Sequence, residues 1–140
     1  VFNQTFLDYE IIIVDDGSTD NSASIVNAIN DKRITVFSNQ NKGVSHARNF
    51  GISKSNSALI AMLDGDDIWE PNHLGNLYNL YEKFPDCGLY CTAYYKQYFN
   101  GRKIKATYNS VAEDHFGILE DYFSASIKGE MNLVEKFPFG

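Results

Sequence analysis

An apolar run that ends in three aspartates constrains most strongly what this chain can fold into. Residues Ala58–Leu63 are all apolar, and Asp64, Asp66 and Asp67 follow within four positions. A run of this kind predicts a parallel strand that is covered on both faces. Gly65 allows the backbone to turn sharply after it. The three acids are therefore expected at the carboxyl end of a central strand, where open α/β sheets bind ligands.

Three carboxylates so close together repel one another unless a cation neutralises them. Oxygen ligands suit a hard divalent ion, and magnesium commonly takes one or two carboxylates together with substrate phosphates. The pattern thus predicts a metal and phosphate site. A solvated acidic loop that also caps a helix is the other interpretation, and the short motif does not decide between them.

A second acidic pair follows another strand-like run. The β-branched segment Glu10–Val14 predicts a buried parallel strand, and Asp15 and Asp16 come directly after it. Turn and cap chemistry explains Ser18, Thr19 and Asp20, but it explains an aspartate pair at a strand end less well. A carboxylate in that position can also accept hydrogen bonds from a ribose or a base edge.

Strands and helices alternate along the first part of the chain. This order predicts an α/β fold, with a mostly parallel central sheet and helices on both faces. The N-terminal residues Val1–Phe6 look like the tail of a helix. The other predicted elements are a helix with Ile25, Val26 and Ile29 on one face, a strand at Arg33–Phe37, helices at Gly43–Lys54 and Leu74–Phe84, a strand at Gly88–Tyr95, a hairpin turn at Asn100–Gly101 and a helix at Asn109–Ser126.

Composition excludes some classes of protein. The 140 residues make one domain or part of one, and the net charge of −6 provides no electrostatic footprint for nucleic acid. No apolar run approaches the length of a membrane span. Cys87 and Cys91 would lie about 14 Å apart along a strand, too far for a disulfide. They are interpreted as buried free thiols, which suit a reducing compartment.

Four motifs in order carry a resemblance to a known family. The segments Phe2–Phe6, Tyr9–Ser22, Asn41–Ile52 and Leu63–Pro71 strongly resemble the family 2 glycosyltransferases with the GT-A fold. The match runs from about Phe2 to Phe84.

The resemblance implies a three-layer, Rossmann-like GT-A fold. Its first strand, in the middle of the sheet, is expected to be missing from this chain. Residues 1–140 would then be a single incomplete domain, with a nucleotide-sugar-binding part at 1–84 and the start of an acceptor-side part at 85–140.

The resemblance also implies a reaction and roles for residues. The reaction is transfer of a sugar from a nucleotide-diphosphate donor, most often UDP-linked, with inversion at the anomeric carbon. The implied partners are that donor and a glycan or lipid-linked acceptor, and the implied cofactor is Mn²⁺ or Mg²⁺. In the implied donor site Asp16 holds the uracil, Arg48 lies near the nucleotide and Asp64 faces the ribose. Asp66 ligates the metal, and Asp67 and Trp69 shape the same loop. Asp15 and Gly43 also contact the donor. His46 receives little weight as a ligand.

Inversion requires a general base, which in the family comes from a later acidic motif. The pairs Glu113–Asp114 and Glu120–Asp121 lack its flanking pattern and are interpreted as solvated helix charges. The base is expected beyond Gly140, so the chain is expected to be a fragment. The expected location is the cytoplasm, and attachment to the inner face of the membrane through regions outside this chain is the alternative. A nucleotidyltransferase and a nucleotide-sugar-binding module without a base remain as alternatives.

Overall fold

The structure, a computed structural model, describes residues 1–105, in two compact units that divide after Pro71. Each unit is described by itself, and the predicted subdivision at residue 84 stays a prediction. The first unit contains β1 (Ile11–Asp15), α1 (Ser22–Asn27), β2 (Ile34–Ser38) and α2 (Val44–Lys54). The described part of the second contains α3 (His73–Lys83), β3 (Tyr95–Gln97) and β4 (Lys103–Lys105).

The first unit is built around a parallel pair of strands, as the alternation of elements predicts. β1 pairs with β2 in a register that runs from Ile11 opposite Ile34 to Asp15 opposite Ser38. Both strands are rich in β-branched residues, which pack well on a pleated surface. The carboxyl ends of the two strands therefore meet at one edge of the sheet. The α/β class with a parallel sheet is confirmed.

Helix α2 covers one face of this pair. A Cβ placed on Gly51 would lie 3.4 Å from Val14 Cγ2, so the helix backbone approaches β1 closely at this glycine. Phe50 of α2 meets Phe37 of β2 edge to face, with ring centroids 5.5 Å apart. Val14 and Phe37 are register partners, so they share the face on which the helix packs. Helices on both faces stay a prediction.

The predicted strand at Ala58–Leu63 is wrong for the described residues, because the segment pairs with no strand there. Instead of being covered on both faces, Leu59, Ile60 and Met62 are 40%, 45% and 49% exposed. A strand is stabilised by a hydrogen-bonded neighbour, and β1 pairs with β2 alone in residues 1–105. An apolar composition is therefore not enough to form a ladder at this position.

The strands that do form are less buried than the sequence predicts. All five residues of β1 are half-buried, and no apolar side chain among residues 1–105 is fully buried. Two short strands and the one helix that packs on them cannot enclose an apolar interior. The expectation of a strand covered on both faces is therefore corrected for β1 as well.

The N-terminal segment forms a turn rather than the tail of a helix. The backbone N–H of Gln4 donates to the carbonyl of Val1 at 3.1 Å. Gln4 is only 4% exposed, and its Nε2 donates to the carbonyl of Glu70 at 2.8 Å. The N–H of Thr5 donates to the carbonyl of Pro71, also at 2.8 Å. The donors of Gln4 and Thr5 thus bind the carbonyls of residues 70 and 71, whereas in a helix the backbone N–H groups would bind carbonyls of the same segment.

The second unit contains the predicted helix α3 and the predicted hairpin. β3 and β4 pair antiparallel, and Gly101, with φ +80°, lies in the loop between them. The strand predicted at Gly88–Tyr95 is wrong, since β3 begins only at Tyr95. Cys87 and Cys91 are free, as predicted, but Cys87 is half-buried and Cys91 is exposed. The predicted helix at Asn109–Ser126 and its acidic pairs lie outside the described residues. No helix in residues 1–105 is both long enough and apolar enough to cross a bilayer.

Candidate functional site

The end of β1 presents two aspartates with different surroundings. Asp15 is the last residue of the strand, and its carbonyl accepts a hydrogen bond from the Asn39 N–H at 2.8 Å. Its carboxylate Oδ1 accepts from the N–H of Ser18 at 3.0 Å, which closes an Asx-type turn. The turn-and-cap interpretation therefore describes the Asp15 side chain well. Asp16 is used differently.

Both carboxylate oxygens of Asp16 accept backbone hydrogen bonds from the segment that enters α2. Oδ1 accepts from the N–H of Lys42 at 3.0 Å, and Oδ2 accepts from the N–H of Gly43 at 2.8 Å. Gly43 has φ +90°, a conformation that side-chain-bearing residues rarely adopt, and it is the N-cap of the helix. The carboxylate thus positions the start of α2 against the end of β1.

Gly17 allows the two loops to approach each other. Its φ is +85°, and a Cβ at this position would lie 3.1 Å from the backbone nitrogen of Asn41. A side chain here would be strained in conformation and crowded by backbone. The backbone conformation and the close approach of Asn41 therefore explain why a glycine occupies position 17, without reference to a ligand.

Arg48, on the next turn of α2, binds the first aspartate of the later cluster. Its Nη2 donates to both Oδ1 and Oδ2 of Asp64, each at 2.8 Å. Both side chains are partly exposed. The N–H of Asp67 donates to the carbonyl of Asp64 at 3.1 Å, which closes a turn around Gly65. Asp64 is thus positioned by Arg48 and not by a strand that ends at it, because residues 58–63 form no strand.

Asp66 lies at the turn of this loop and is exposed, as is Asp67. The Asp66 side chain makes no hydrogen bond or ion pair with any residue that the structure describes. The loop itself is held at both ends, by Arg48 at Asp64 and by Gln4 at Glu70. A fixed loop with an exposed carboxylate at its turn can offer that carboxylate to a ligand.

Helix α2 connects the two groups of predicted site residues. Gly43 at its N-cap is bound by Asp16, and Arg48 binds Asp64. Five residues of α-helix advance by about 7.5 Å, so both contacts lie within the first turn and a half of one helix. The structure therefore brings Asp15, Asp16, Gly43, Arg48 and Asp64 to one end of the first unit, and Asp66 and Asp67 lie in the Asp64 loop.

Two buried polar atoms at this end have no hydrogen-bond partner among the described residues. They are Nε of Arg48 and Nδ2 of Asn39, the residue that follows β2. Buried donors in native proteins are nearly always satisfied, so each exception calls for an explanation. Both belong to residues that contact the site aspartates, Arg48 through Asp64 and Asn39 through the Asp15 carbonyl.

A metal held only by protein side chains does not fit the described residues. No group of three or more His, Cys, Asp or Glu side chains in residues 1–105 is arranged to bind a metal ion. Asp64 is engaged by Arg48, which leaves the exposed Asp66 and Asp67 as the available carboxylates of the loop. One carboxylate fits the kind of magnesium site that is completed by substrate phosphates and water.

Sequence reasoning missed two contacts that hold the site and one contact at the opposite end of β1 and α2. Lys42 contributes its backbone N–H to Asp16, and Gln4 anchors the acidic loop. Glu10 Oε1 accepts hydrogen bonds from Ser55 Oγ and Ser57 Oγ, both at 3.2 Å, just beyond the end of α2. A charged residue at the start of an apolar strand was the only available signal for Glu10. His46, given little weight, is exposed on α2.

Comparison with known proteins identifies the family. The family model described as "Glycosyl transferase family 2" matches residues 1–132. The glycosyltransferase GlyG of Streptococcus pneumoniae is 43% identical over 81 residues, which cover 56% of this chain and 27% of the relative. The succinoglycan biosynthesis protein ExoU of Rhizobium meliloti is 45% identical over 71 residues, covering 49% of this chain and 21% of the relative.

A further relative aligns with more of the chain. It is the UDP-Glc:alpha-D-GlcNAc-diphosphoundecaprenol beta-1,3-glucosyltransferase WfaP of Escherichia coli, 33% identical over 121 residues, which cover 86% of this chain and 47% of the relative. The chain thus spans less than half the length of each of these three relatives. No solved structure gives a significant match. The match of the family model over nearly the whole sequence shows that the chain belongs to glycosyl transferase family 2.

Proposed function

We propose that this chain forms the donor-binding part of an inverting, metal-dependent glycosyltransferase. The donor is a nucleotide-diphosphate sugar, with UDP as the nucleotide, and the acceptor is a glycan or a lipid-linked sugar in polysaccharide assembly. One observation carries the proposal: α2 joins Asp16 and Asp64 at one end of the unit, while Asp66 in the same loop stays exposed.

The names of two relatives support the donor and acceptor classes. WfaP is named for UDP-glucose and for an acceptor on diphosphoundecaprenol, and ExoU is named for succinoglycan biosynthesis. These substrates belong to those proteins. For this chain they make UDP the first nucleotide to test and a lipid-linked or growing polysaccharide the first acceptor.

Asp16 is proposed to recognise the base as well as to position α2. Each carboxylate oxygen has about two acceptor sites, and the N–H groups of Lys42 and Gly43 occupy one on each oxygen. The remaining sites can accept an N–H from a uracil ring. Because the carboxylate is already fixed by two backbone bonds, it is oriented before the donor binds, which reduces the entropy lost on binding.

Arg48 and Asp64 are proposed to orient the ribose and the diphosphate. Arg48 uses one nitrogen for both bonds to Asp64 and leaves its enclosed Nε without a partner among residues 1–105. An unsatisfied buried donor costs about 1–3 kcal/mol, which a small rearrangement on donor binding would recover. Asp64 keeps acceptor sites for a ribose hydroxyl.

Asp66 is proposed to be the protein ligand of Mn²⁺ or Mg²⁺. A divalent ion bound there would supply Lewis-acid stabilisation of the diphosphate leaving group. The chain contributes a carboxylate that is exposed and lies in a closed turn, and Asp64 neutralises the positive charge of the nearby helix residue Arg48.

Calorimetric titration of the full chain with UDP in the presence and absence of Mn²⁺ tests the proposal. We expect Mn²⁺-dependent binding that Asp66→Asn weakens by about tenfold to a hundredfold, because a charged ligand of the metal is lost. Asp8→Asn is the matched control, since Asp8 is also exposed and lies outside the site. No binding by the wild type, or equal binding by Asp66→Asn, would contradict the proposal.

The products distinguish the alternative functions. Incubation with a UDP-sugar and acceptor should release UDP. Release of pyrophosphate from a nucleoside triphosphate and a sugar phosphate would instead indicate a nucleotidyltransferase. Binding of UDP without turnover by the complete protein would indicate a nucleotide-sugar-binding module.

A further inference from the structure

The hairpin formed by residues 94–105 has the composition of a membrane-contacting element. At its apex, the N–H of Tyr98 donates to the carbonyl of Arg102, and the N–H of Gly101 donates to the carbonyl of Tyr98, both at 2.9 Å. The loop is therefore three residues long with a left-handed glycine, a well-formed hairpin connection. Phe99 is the first residue of this loop and is fully exposed.

The aromatic side chains of the hairpin are exposed together. Tyr94, Tyr95 and Tyr98 are all exposed, and so is Ile104 on the returning strand. Every residue of β3 and β4 is exposed on both faces of the ribbon. Single exposed apolar residues are ordinary, but a group of five on one short ribbon marks an interaction site.

All charges on the hairpin are positive. Lys96, Arg102, Lys103 and Lys105 are its only charged residues, although the chain as a whole carries −6. No Asp or Glu occurs between Cys87 and Ala112. A ribbon with four cations on an otherwise acidic chain is complementary to an anionic surface.

The positions of these groups along the ribbon favour one kind of partner. The apolar residue is at the apex, and the cations flank it on both strands. Lys96 Nζ lies 5.9 Å from the centroid of the Tyr98 ring, so cation and aromatic ring share one face. Aromatic rings concentrate at the headgroup level of bilayers, and basic residues beside them are attracted to anionic lipids. A polysaccharide or a nucleic acid would not require an apolar residue at the tip.

We propose that this hairpin docks on an anionic phospholipid surface, with Phe99 inserted among the acyl chains and the four cations on the headgroups. The proposal is independent of the donor site, which lies in the other unit. It assigns membrane association to described residues of this chain.

Vesicle sedimentation with the full chain tests the proposal. Vesicles of phosphatidylcholine alone are compared with vesicles that also contain about 30% anionic phosphatidylglycerol, each at low and at high salt. We expect binding that requires the anionic lipid and weakens as salt rises, because exposed charges are screened. Failure of the wild-type chain to bind the anionic vesicles would overturn the proposal.

Variants separate the apolar contribution from the cationic one. Phe99→Ser should weaken binding by about tenfold, and Lys103→Gln with Lys105→Gln should weaken it by at least about tenfold. Leu7→Ser and Lys32→Gln are matched controls, since both positions are exposed in the first unit. Circular dichroism checks that each variant folds. Equal effects of the control and hairpin variants would overturn the proposal.

Fluorescence quenching tests insertion directly. Trp69 is the only tryptophan, so the wild-type chain measures the background. Phe99→Trp should add emission that brominated acyl chains quench. Emission from Phe99→Trp that is no more quenched than that of the wild type would contradict insertion of the apex.

Discussion

At the scale of single residues, the contact between Arg48 and Asp64 positions the acidic loop more than it stabilises the fold. Both side chains are partly exposed, and exposed ion pairs contribute about 0–1 kcal/mol to folding. The same two bonds hold the start of the loop that carries Asp66. The pair is therefore expected to influence ligand binding strongly and unfolding weakly.

Substitution of Arg48 tests this separation. Arg48→Met should weaken UDP binding by about tenfold, because a charged hydrogen-bond donor is lost, while the free energy of unfolding changes by less than about 1 kcal/mol. Arg48→Lys should recover part of the binding. Calorimetry and urea unfolding measure the two quantities, and Lys32→Met controls for removal of a positive charge. A large loss of stability with unchanged binding would show that the pair is structural.

Gly43 provides a second test at this scale. Its φ of +90° is strained for any residue with a side chain, although the space around it is open. Gly43→Ala should therefore reduce the free energy of unfolding by about 1–2 kcal/mol and disturb the N–H that binds Asp16. Gly65→Ala is the control, since that glycine has neither a positive φ nor a close neighbour. Equal destabilisation by both changes in urea unfolding would contradict the argument.

At the scale of elements, the acidic loop depends on an anchor from the N-terminal segment. Gln4 is the one buried residue among residues 1–105, and its side chain donates to the Glu70 carbonyl. Gln4→Leu removes this donor. The loss should cost about 1–3 kcal/mol of unfolding free energy. Asn3→Leu, at an exposed neighbouring position, should have little effect. Urea unfolding of both variants measures the difference. A free energy of unfolding that Gln4→Leu leaves unchanged would show that the anchor does not contribute to stability.

The start of α3 should respond to pH. Partial burial lowers the pKa of His73, whose Nδ1 lies 3.4 Å from Thr92 Oγ1. The unfolded state therefore binds a proton near pH 6.5 before the folded state does, so the free energy of unfolding should fall as pH drops below that value. His73→Gln should flatten this part of the profile. Denaturant unfolding between pH 5 and 7 measures this pH dependence. A His73→Gln profile parallel to that of the wild type would contradict the prediction.

At the scale of the whole molecule, the apolar segment at 58–63 and the second edge of β1 leave surface that nothing in residues 1–105 pairs with. Unpaired strand edges beside exposed apolar residues promote association between chains. The 140-residue chain should therefore self-associate as its concentration rises.

Charge substitutions test this expectation. Ile60→Lys with Met62→Lys should reduce self-association in sedimentation velocity, because charge on an unpaired edge opposes pairing. Ile25→Lys is the control, since Ile25 is more exposed but lies on α1. The same reduction by Ile25→Lys would mean that net charge, and not the edge, controls association.

The sequence by itself determined the elements whose signals are local. The β-branched runs of β1 and β2, the helix after Gly43 and the turn at Asn100–Gly101 are encoded within a few neighbouring residues, and the structure confirms them. The order of the four motifs determined the family in the same way. These predictions succeeded because propensity, periodicity and turn chemistry act over short distances along the chain.

Only the tertiary structure decided which of those segments paired and what the site residues bind. Asp16 reaches N–H groups 26 and 27 residues away, and Arg48 reaches Asp64 across 16 residues. No local pattern specifies such contacts. The run at 58–63 has the composition of a strand but no ladder in residues 1–105, because a strand needs a hydrogen-bonded neighbour that its own residues cannot supply.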